Sequence, residues 1–374
     1  MDDTRAKPKT RMLEQDIAKG IAILIVVFVH SVQLRTVAMD WLVATTGYAM
    51  PFFFFMSGYN YRPGKGSWGQ NVAKRARQLL LPMLGYSLAV YFVMWIYFAI
   101  RQEATLMDCL HSFGSLWLTR PLAQKVGLNV GMGSPFGSLM VQAWFLQYMM
   151  AGYLIFYFVA DYALKNYGRF FSVNFALLCV TCLFVHREIT LPWGIHAAPL
   201  LASIMLFGAL FGQKKLLHKG TIPTRWNTLN TLAAFGIYLT FGLAFPKAGQ
   251  FAAGMLGHDI GYWDVYVTLL AAILGSYILV NVSKIVEKVK PLGAALRWCG
   301  ENSLAILLLH NAFIKVLNNL FQVQRRPMGE RIEQTNWTTV LVCVLSILCT
   351  AALTVVIKAV KKRFFGGKEK HEST

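Results

Sequence analysis

Long runs of apolar residues follow one another along almost the whole chain, separated by short polar or basic segments. A helix that spans a membrane needs about 20 mostly apolar residues, and the runs of roughly that length are ten in number. They occupy 17–37, 41–60, 79–100, 139–160, 170–186, 194–212, 229–246, 262–282, 302–321 and 337–358. The pattern therefore predicts an all-α integral membrane protein with about ten transmembrane helices.

Basic residues alternate between the two ends of the predicted helices, which indicates a topology. Lys and Arg collect in the cytoplasmic loops of membrane proteins. They are dense in 65–77, 214–225, 284–297 and 358–363. If the N-terminus is cytoplasmic, all four segments fall on the inner side. An even number of spans with both termini in the cytoplasm fits this distribution best.

The same pattern divides the chain into three parts. We predict a cytoplasmic N-terminal segment over residues 1–16, a single multi-span membrane domain over 17–358 and a cytoplasmic basic tail over 359–374. The longest predicted loop, roughly 101–138, lies on the outer side. We find no convincing internal repeat, which weighs against a transporter, because many transporters are built from repeats.

Composition supports a membrane protein and argues against a nucleic-acid partner. Of the 374 residues, 56% are hydrophobic and 14% are charged, whereas a soluble domain carries about 25% charged residues. The net charge of +19 would also fit nucleic-acid binding, but cytoplasmic loops account for the excess of Lys and Arg. We therefore expect the lipid bilayer, and no nucleic acid, as a partner. A homo-oligomer is compatible with the sequence.

The cysteines and histidines do not form a metal-binding or redox pattern. Cys179 and Cys182 make a C-x-x-C, but they lie in an apolar run and have no second pair. Cysteine in such a run behaves as a small hydrophobic residue. The histidines are scattered without the spacing of a helical zinc site, so we expect no metal.

The first predicted helix carries three ionisable residues on one face. His30 lies deep in the run 17–37, where an ionisable side chain is costly and typically functional. Lys19 precedes it by eleven residues, about three helical turns, so the two side chains are roughly 16 Å apart along the axis. Asp16 comes one turn before Lys19 on the same stripe. Imidazole is the usual general base near neutral pH.

A coenzyme A thioester is a donor that fits this spacing. It carries phosphates at one end and the thioester at the other, joined by an extended arm. Lys19 would then help to hold the anionic head, Asp16 would orient or neutralise Lys19, and His30 would activate an acceptor hydroxyl. The alternative explanation is structural: His30 packs between helices, and Lys19 extends to the membrane interface. The helix by itself leaves both explanations open.

A basic cluster, Lys74, Arg75 and Arg77, comes before the third predicted span. Such clusters usually reflect topology and contact with lipid headgroups. Arginine also matches the geometry of phosphate, so these residues are candidates for binding the donor. Ser57 is followed by a glycine, which lets helices approach closely and opens the inner side near the cluster. We count Ser57 as a candidate substrate-binding residue.

Two further segments are candidates for binding the acceptor. Glu301 and Asn302 stand near the predicted start of a helix, where an acid is favoured electrostatically. His310 follows in that helix, and we expect a structural or acceptor-site role for it rather than a catalytic one. Trp144 and Gln147 could line a sugar site by stacking and hydrogen bonding, although an interfacial aromatic anchor is the commoner explanation.

Together these segments resemble the acyltransferase-3 family of multi-pass membrane O-acyltransferases. Asp16 to His30 matches the first helix of that family, which carries a basic residue, ten residues and then a histidine. Met50 to Tyr59 is similar to a run found in the subgroup related to fucose 4-O-acetylase, which looks closest. Trp144 to Leu146 and Gly300 to His310 also look like family segments and occur in family order. The resemblance covers roughly residues 11–320, and about ten spans is the usual number in the family.

The resemblance implies transfer of an acyl group, usually acetyl from acetyl-CoA, to a hydroxyl of a carbohydrate or cell-envelope molecule. It makes His30 the essential base and Lys19 part of the donor site. The family's paired-arginine element is usually R-x-x-R, whereas here Lys74 takes the first place and Arg77 the second. We therefore predict an acyl-CoA-dependent O-acyltransferase of the bacterial plasma (inner) membrane that acts on a glycan or lipid-linked glycan. The alternative is a transporter or exporter of a glycan or small anion, with Lys19 and His30 as a proton relay.

Overall fold

The protein is built from α-helices. A computed structural model describes residues 12–31, 47–117, 136, 144–187, 189, 191–218, 220–244, 262–321 and 337–365. Over these ranges it contains helices and no strand, which confirms the all-α prediction. The helices are α1 (Leu13–Ser31), α2 (Ala49–Tyr59), α3 (Trp68–Ile100), α4 (Leu106–Gly114), α5 (Trp144–Ala163), α6 (Tyr167–His186), α7 (Ala198–Gln213), α8 (Thr224–Ala244), α9 (Tyr262–Val286), α10 (Lys290–Glu301), α11 (Ser303–Leu320) and α12 (Trp337–Phe365).

Six helical segments within the described residues are long and apolar enough to cross a membrane. They are Trp68–Ile100, Tyr167–His186, Pro192–Gln213, Tyr262–Val286, Ser303–Leu320 and Val340–Val360. The chain is therefore a multi-pass membrane protein, while the number of ten spans stays a prediction. Residues 1–11, 32–46 and 366–374, which include parts of the first two predicted spans and both chain ends, lie outside the described residues.

Helix α3 begins eleven residues earlier than the apolar run at 79–100 indicates. Ser67 caps it: its hydroxyl accepts a hydrogen bond from the Gln70 amide, and the Gln70 side chain accepts one from the Ser67 amide. This capping box satisfies amide groups that the first helical turn leaves without partners. The basic cluster at 74–77 therefore lies inside α3 and not before the span. Pro82 also lies inside this helix.

Two helices occupy segments that we expected to be loops. Helix α4 lies within the predicted outer loop 101–138 and begins with a second capping box, formed by Thr105 and Asp108. Helix α10 occupies the basic segment after α9. It is amphipathic, and one side of it packs on α1. The apolar pattern did not predict these two helices, because their polar residues resemble those of a loop. In an amphipathic helix such residues lie on one face.

Six helices form a closed ring. Each contacts the next in the order α1, α2, α7, α5, α3 and α11, and α11 returns to α1. Helix α9 packs against α1, α2 and α7, and α12 packs against α11 and α1. The ring brings α1, which carries the predicted base, directly against α11, which carries His310.

One end of the ring collects polar side chains from several helices. Near the end of α5, Asp161 accepts hydrogen bonds from the Tyr61 hydroxyl at 2.8 Å and from the Gly64 amide at 3.1 Å. At the start of α1, Glu14 lies close enough to Tyr59 to act on its hydroxyl electrostatically. The starts of α1 and α3 and the ends of α2 and α5 therefore lie together. We call this the basic end, after the cluster Lys74, Arg75 and Arg77.

Backbone contact fixes the position of α1 at the basic end. A Cβ atom built on Gly300 of α10 would overlap the carbonyl oxygen of Asp16, and one built on Gly20 of α1 would overlap the carbonyl oxygen of Leu296. The two helices can cross this closely only because both positions are glycine. The crossing places the backbone of Asp16 and the turn that carries Lys19 against α10.

Candidate active site

Asp16 and Lys19 form an ion pair near the start of α1. The Lys19 ammonium lies 3.3 Å from a carboxylate oxygen of Asp16. The Asp16 side chain is 3% exposed, whereas that of Lys19 is 29% exposed. The spacing of one helical turn predicted this contact. Asp16 therefore holds a cation that still reaches solvent-accessible space at the basic end.

His30, one residue before the end of α1, pairs with His310 of α11. The Nδ1 atom of His30 lies 2.8 Å from the Nε2 atom of His310, which is a normal hydrogen-bond distance. His310 is completely buried, and His30 keeps partial exposure. His310 thus fixes one ring nitrogen of His30 from the buried side of the pair.

The two rings meet end to end in one plane. Their planes differ by 3° and their centroids are 5.1 Å apart. A five-membered ring with sides of about 1.33 Å has each atom about 1.1 Å from its centre. Two such rings joined in line by the observed nitrogen contact would have centroids about 5 Å apart, so this is a planar hydrogen bond and not face-to-face stacking.

The structure separates the three basic residues of α3. The Arg75 Nε donates a hydrogen bond to the Tyr157 hydroxyl at 3.0 Å, and its guanidinium carbon lies 5.1 Å from the centre of the Tyr153 ring. A cation over an aromatic face is attracted by the ring. Lys74 and Arg77 are exposed. Arg75 is therefore held in place by α5, and the other two project from the helix.

Ser57 lies in α2 beside this arginine site. Its hydroxyl donates to the carbonyl of Phe53 at 2.7 Å, and its side chain also hydrogen-bonds Tyr153. The neighbouring Tyr61 stays a neutral donor, because burial and its hydrogen bond to Asp161 raise its pKa. These contacts join α2, α3 and α5 at the basic end.

The predicted sugar-lining residues are packed inside the protein. Trp144 packs edge-on against the Tyr148 ring and is 8% exposed. Gln147 is 1% exposed, and its amide nitrogen donates to the carbonyl oxygen of Leu116. Their present contacts are structural, and a contact with an acceptor stays a prediction.

Glu301 and Asn302 mark the junction of α10 and α11. Glu301 is the last residue of α10 and stands two residues before the start of α11, which agrees with its expected position near a helix start. Its carboxylate lies 3.7 Å from Arg297. The buried Asn302 amide donates to the carbonyl of Trp298 at 2.7 Å. The bend at residue 302 therefore joins two helices, of which the sequence predicted α11 and not α10.

Lys315 is a buried cation that sequence analysis did not single out. It is 8% exposed in α11, and its ammonium lies 5.7 Å from the centre of the Phe98 ring of α3. Like His30, it is an ionisable residue inside an apolar run, so the rule that identified His30 also identifies it. It lies five residues beyond His310, farther from the basic end.

Comparison with known proteins supplies one match. The acyltransferase-3 family model, described as an acyltransferase domain, matches residues 13–355. No curated protein and no solved structure matches the chain. The match extends from the first residue of α1 into α12, so it includes both histidines, Lys19 and Arg75. It supports a membrane acyltransferase and gives no support to a transporter or exporter.

Proposed function

Because the chain belongs to the acyltransferase-3 family, we propose that it transfers an acyl group from acyl-CoA to a hydroxyl of a carbohydrate or cell-envelope glycan. Acetyl from acetyl-CoA is the expected group. Within the family, we propose the subgroup related to fucose 4-O-acetylase. The single observation that carries the proposal is the planar pair of His30 and His310, in which the buried His310 fixes one ring nitrogen of His30.

The histidine pair supports base catalysis. Transfer to a hydroxyl requires removal of the hydroxyl proton as its oxygen attacks the thioester carbonyl. A positioned imidazole performs this task efficiently near neutral pH. His310 fixes one side of the His30 ring, so the other ring nitrogen of His30 is the group that we assign to the acceptor hydroxyl.

The cations at the basic end support a site for the donor head. Lys19 is held by Asp16 and partly exposed, and Arg75 is held by Tyr157 and Tyr153. Both are suited to phosphate, because a charged donor makes the strongest hydrogen bonds to it. The roughly 16 Å between Lys19 and His30 along α1 matches an extended arm that carries a thioester away from its phosphates. Lys74 and Arg77, which are exposed, would add electrostatic attraction for the anionic donor.

The same assignment gives the protein an orientation. We propose that the basic end faces the cytoplasm of a bacterial cell, that the plasma membrane holds about ten spans, and that both termini are cytoplasmic. His30 then lies toward the outer half of its helix. Ser57, Trp144, Gln147, Glu301 and Asn302 stay our candidates for substrate contact.

Neutralising the donor-site cations should raise the KM for acyl-CoA more than it lowers the turnover number. Lys19→Gln and Arg75→Gln should each raise the KM for acetyl-CoA about tenfold, because a charge-assisted hydrogen bond contributes about 1.5 kcal/mol or more and about 1.4 kcal/mol is a factor of ten. Steady-state kinetics with purified protein and varied acetyl-CoA measure this. The turnover number at saturation should change much less.

Two controls make this result specific. Lys19→Arg keeps the charge beside Asp16 and should keep the KM within about threefold. Lys288→Gln removes an exposed lysine outside the site and should leave the KM unchanged. An unchanged KM in both site variants would refute the donor site, and so would an equal loss in Lys19→Arg and Lys19→Gln.

The proposed activity itself is tested on cell envelopes. Envelope glycans from cells with and without the gene are compared by mass spectrometry, and the gene-containing cells should show one additional acyl mass. Membranes that contain the protein, supplied with labelled acetyl-CoA and the glycan from gene-deficient cells, should add the same acyl mass to that glycan. Identical glycans in the two strains, together with no transfer in membranes, would refute the proposed function.

A further inference from the structure

The contacts of His310, the completely buried member of the histidine pair, show which of its ring nitrogens carries the proton. The Nδ1 atom of His310 lies 2.9 Å from the carbonyl oxygen of Ile306, one turn earlier in α11. A carbonyl oxygen can only accept a hydrogen bond. His310 therefore carries its proton on Nδ1 and donates it to Ile306.

This proton determines the proton position on His30. In neutral His310, an Nδ1 proton leaves Nε2 as an acceptor. The contact of 2.8 Å then requires His30 to donate from Nδ1. A neutral His30 with its proton on Nδ1 has an unprotonated Nε2, which is the form that a general base needs. The resting pair is neutral because a net charge at membrane depth is costly.

We infer that His310 is a positioning residue that holds His30 in the tautomer with a free Nε2 and, through the same hydrogen bond, stabilises the imidazolium that His30 becomes during acyl transfer. This inference rests on the proposed function and assigns His310 a role different from contact with the acceptor. His310 takes the place that a carboxylate has in a serine–histidine–aspartate triad, where the third group orients the base, and the Ile306 carbonyl in turn orients His310.

The proton movements balance without another reactant. The acceptor oxygen bonds to the acyl carbon as its proton passes to Nε2 of His30, which becomes an imidazolium whose Nδ1 proton stays hydrogen-bonded to His310. The carbon–sulfur bond then breaks and coenzyme A leaves as a thiolate. The Nε2 proton of His30 goes to the thiolate. The products are an ester and free coenzyme A, and His30 is neutral again.

Two substitutions separate orientation from packing. His310→Leu removes the acceptor of the hydrogen bond from His30 Nδ1, while His310→Gln offers an amide oxygen that can still accept this bond with less exact geometry. We expect His310→Leu to lower kcat about 100-fold and His310→Gln about 10-fold, with the KM for acetyl-CoA within twofold of wild type in both. His30→Gln combined with His310→Leu should lose no more than His30→Gln alone, because the two residues act as a unit.

A spectroscopic measurement tests the tautomer independently of activity. Nitrogen-15 NMR of histidine-labelled protein in lipid reports which ring nitrogen is protonated, and the signals that disappear in His30→Gln identify His30. Wild type should show His30 protonated on Nδ1 and unprotonated on Nε2, and His310→Leu should show a mixture.

These outcomes distinguish the inference from the function on which it rests. A wild-type His30 protonated on Nε2, or a kcat unchanged in His310→Leu, would overturn the inference even if acyl transfer is observed. So would equal losses of kcat in the leucine and glutamine variants with a raised KM, since that pattern indicates disturbed packing. If wild type transfers no acyl group while His30 shows the expected tautomer, the proposed function fails and the assigned proton positions stand.

Discussion

Replacing His30 by glutamine should lower the rate of acyl transfer by about 10²- to 10⁴-fold, the usual contribution of a general base. Glutamine retains a polar side chain beside His310 but cannot accept a proton at neutral pH. The hydroxyl of the acceptor would then have to lose its proton to water while it attacks the thioester. Transfer of a labelled acetyl group by purified protein, measured at saturating acetyl-CoA, gives the rate directly.

The same substitution at another histidine shows whether the loss of acyl transfer is specific to position 30. His111 lies in α4 and is exposed, so His111→Gln makes the same chemical change away from the histidine pair and should retain full activity. A His30→Gln protein that folds normally and transfers acetyl at the wild-type rate would remove His30 from the mechanism. The structural explanation, in which His30 only packs against His310, would then be correct.

Replacing Gly300 by leucine should lower the free energy of unfolding by about 3 kcal/mol, at the upper end of what overpacking usually costs. The first side-chain atom already overlaps the Asp16 carbonyl oxygen. Backbone cannot move aside as the tip of a flexible side chain can, so α1 must separate from α10. Separation would also displace Lys19 from the donor site. Thermal unfolding in detergent, followed together with acyl transfer, measures both effects.

Gly236 provides the control for this substitution. It lies within α8, it is exposed, and a Cβ built there meets no atom within 4 Å. Gly236→Leu should therefore change stability by no more than about 0.5 kcal/mol. Equal stability of the Gly300 and Gly236 variants would show that α1 and α10 do not cross as closely as described.

Much of the architecture follows from local sequence patterns. Apolar runs of membrane length predicted the helical class and most helix positions, because each run is a property of neighbouring residues. The sequence also predicted the contact of Asp16 with Lys19, since residues three apart in a helix lie side by side. The capping box at Ser67 and Gln70 was readable in the same way, and using it would have placed the basic cluster inside α3.

Local sequence patterns could not predict the histidine pair. His30 and His310 are 280 residues apart, and their contact exists only because the ring of helices brings α1 against α11. The same is true of Arg75, whose partners Tyr153 and Tyr157 belong to α5. Only the crossing of α1 with α10 shows why a side chain is excluded at Gly20 and Gly300. Contacts between distant segments depend on the whole packing and not on one helix.

The most direct test of the account compares binding and chemistry in a single variant, His30→Gln. Its affinity for a non-reactive thioether analogue of acetyl-CoA is measured by equilibrium binding, and its acyl transfer is measured in a single turnover. We predict a dissociation constant within about twofold of wild type and a transfer rate lower by about 100-fold or more. Normal transfer would contradict the account, as would a loss of transfer explained entirely by a loss of donor binding.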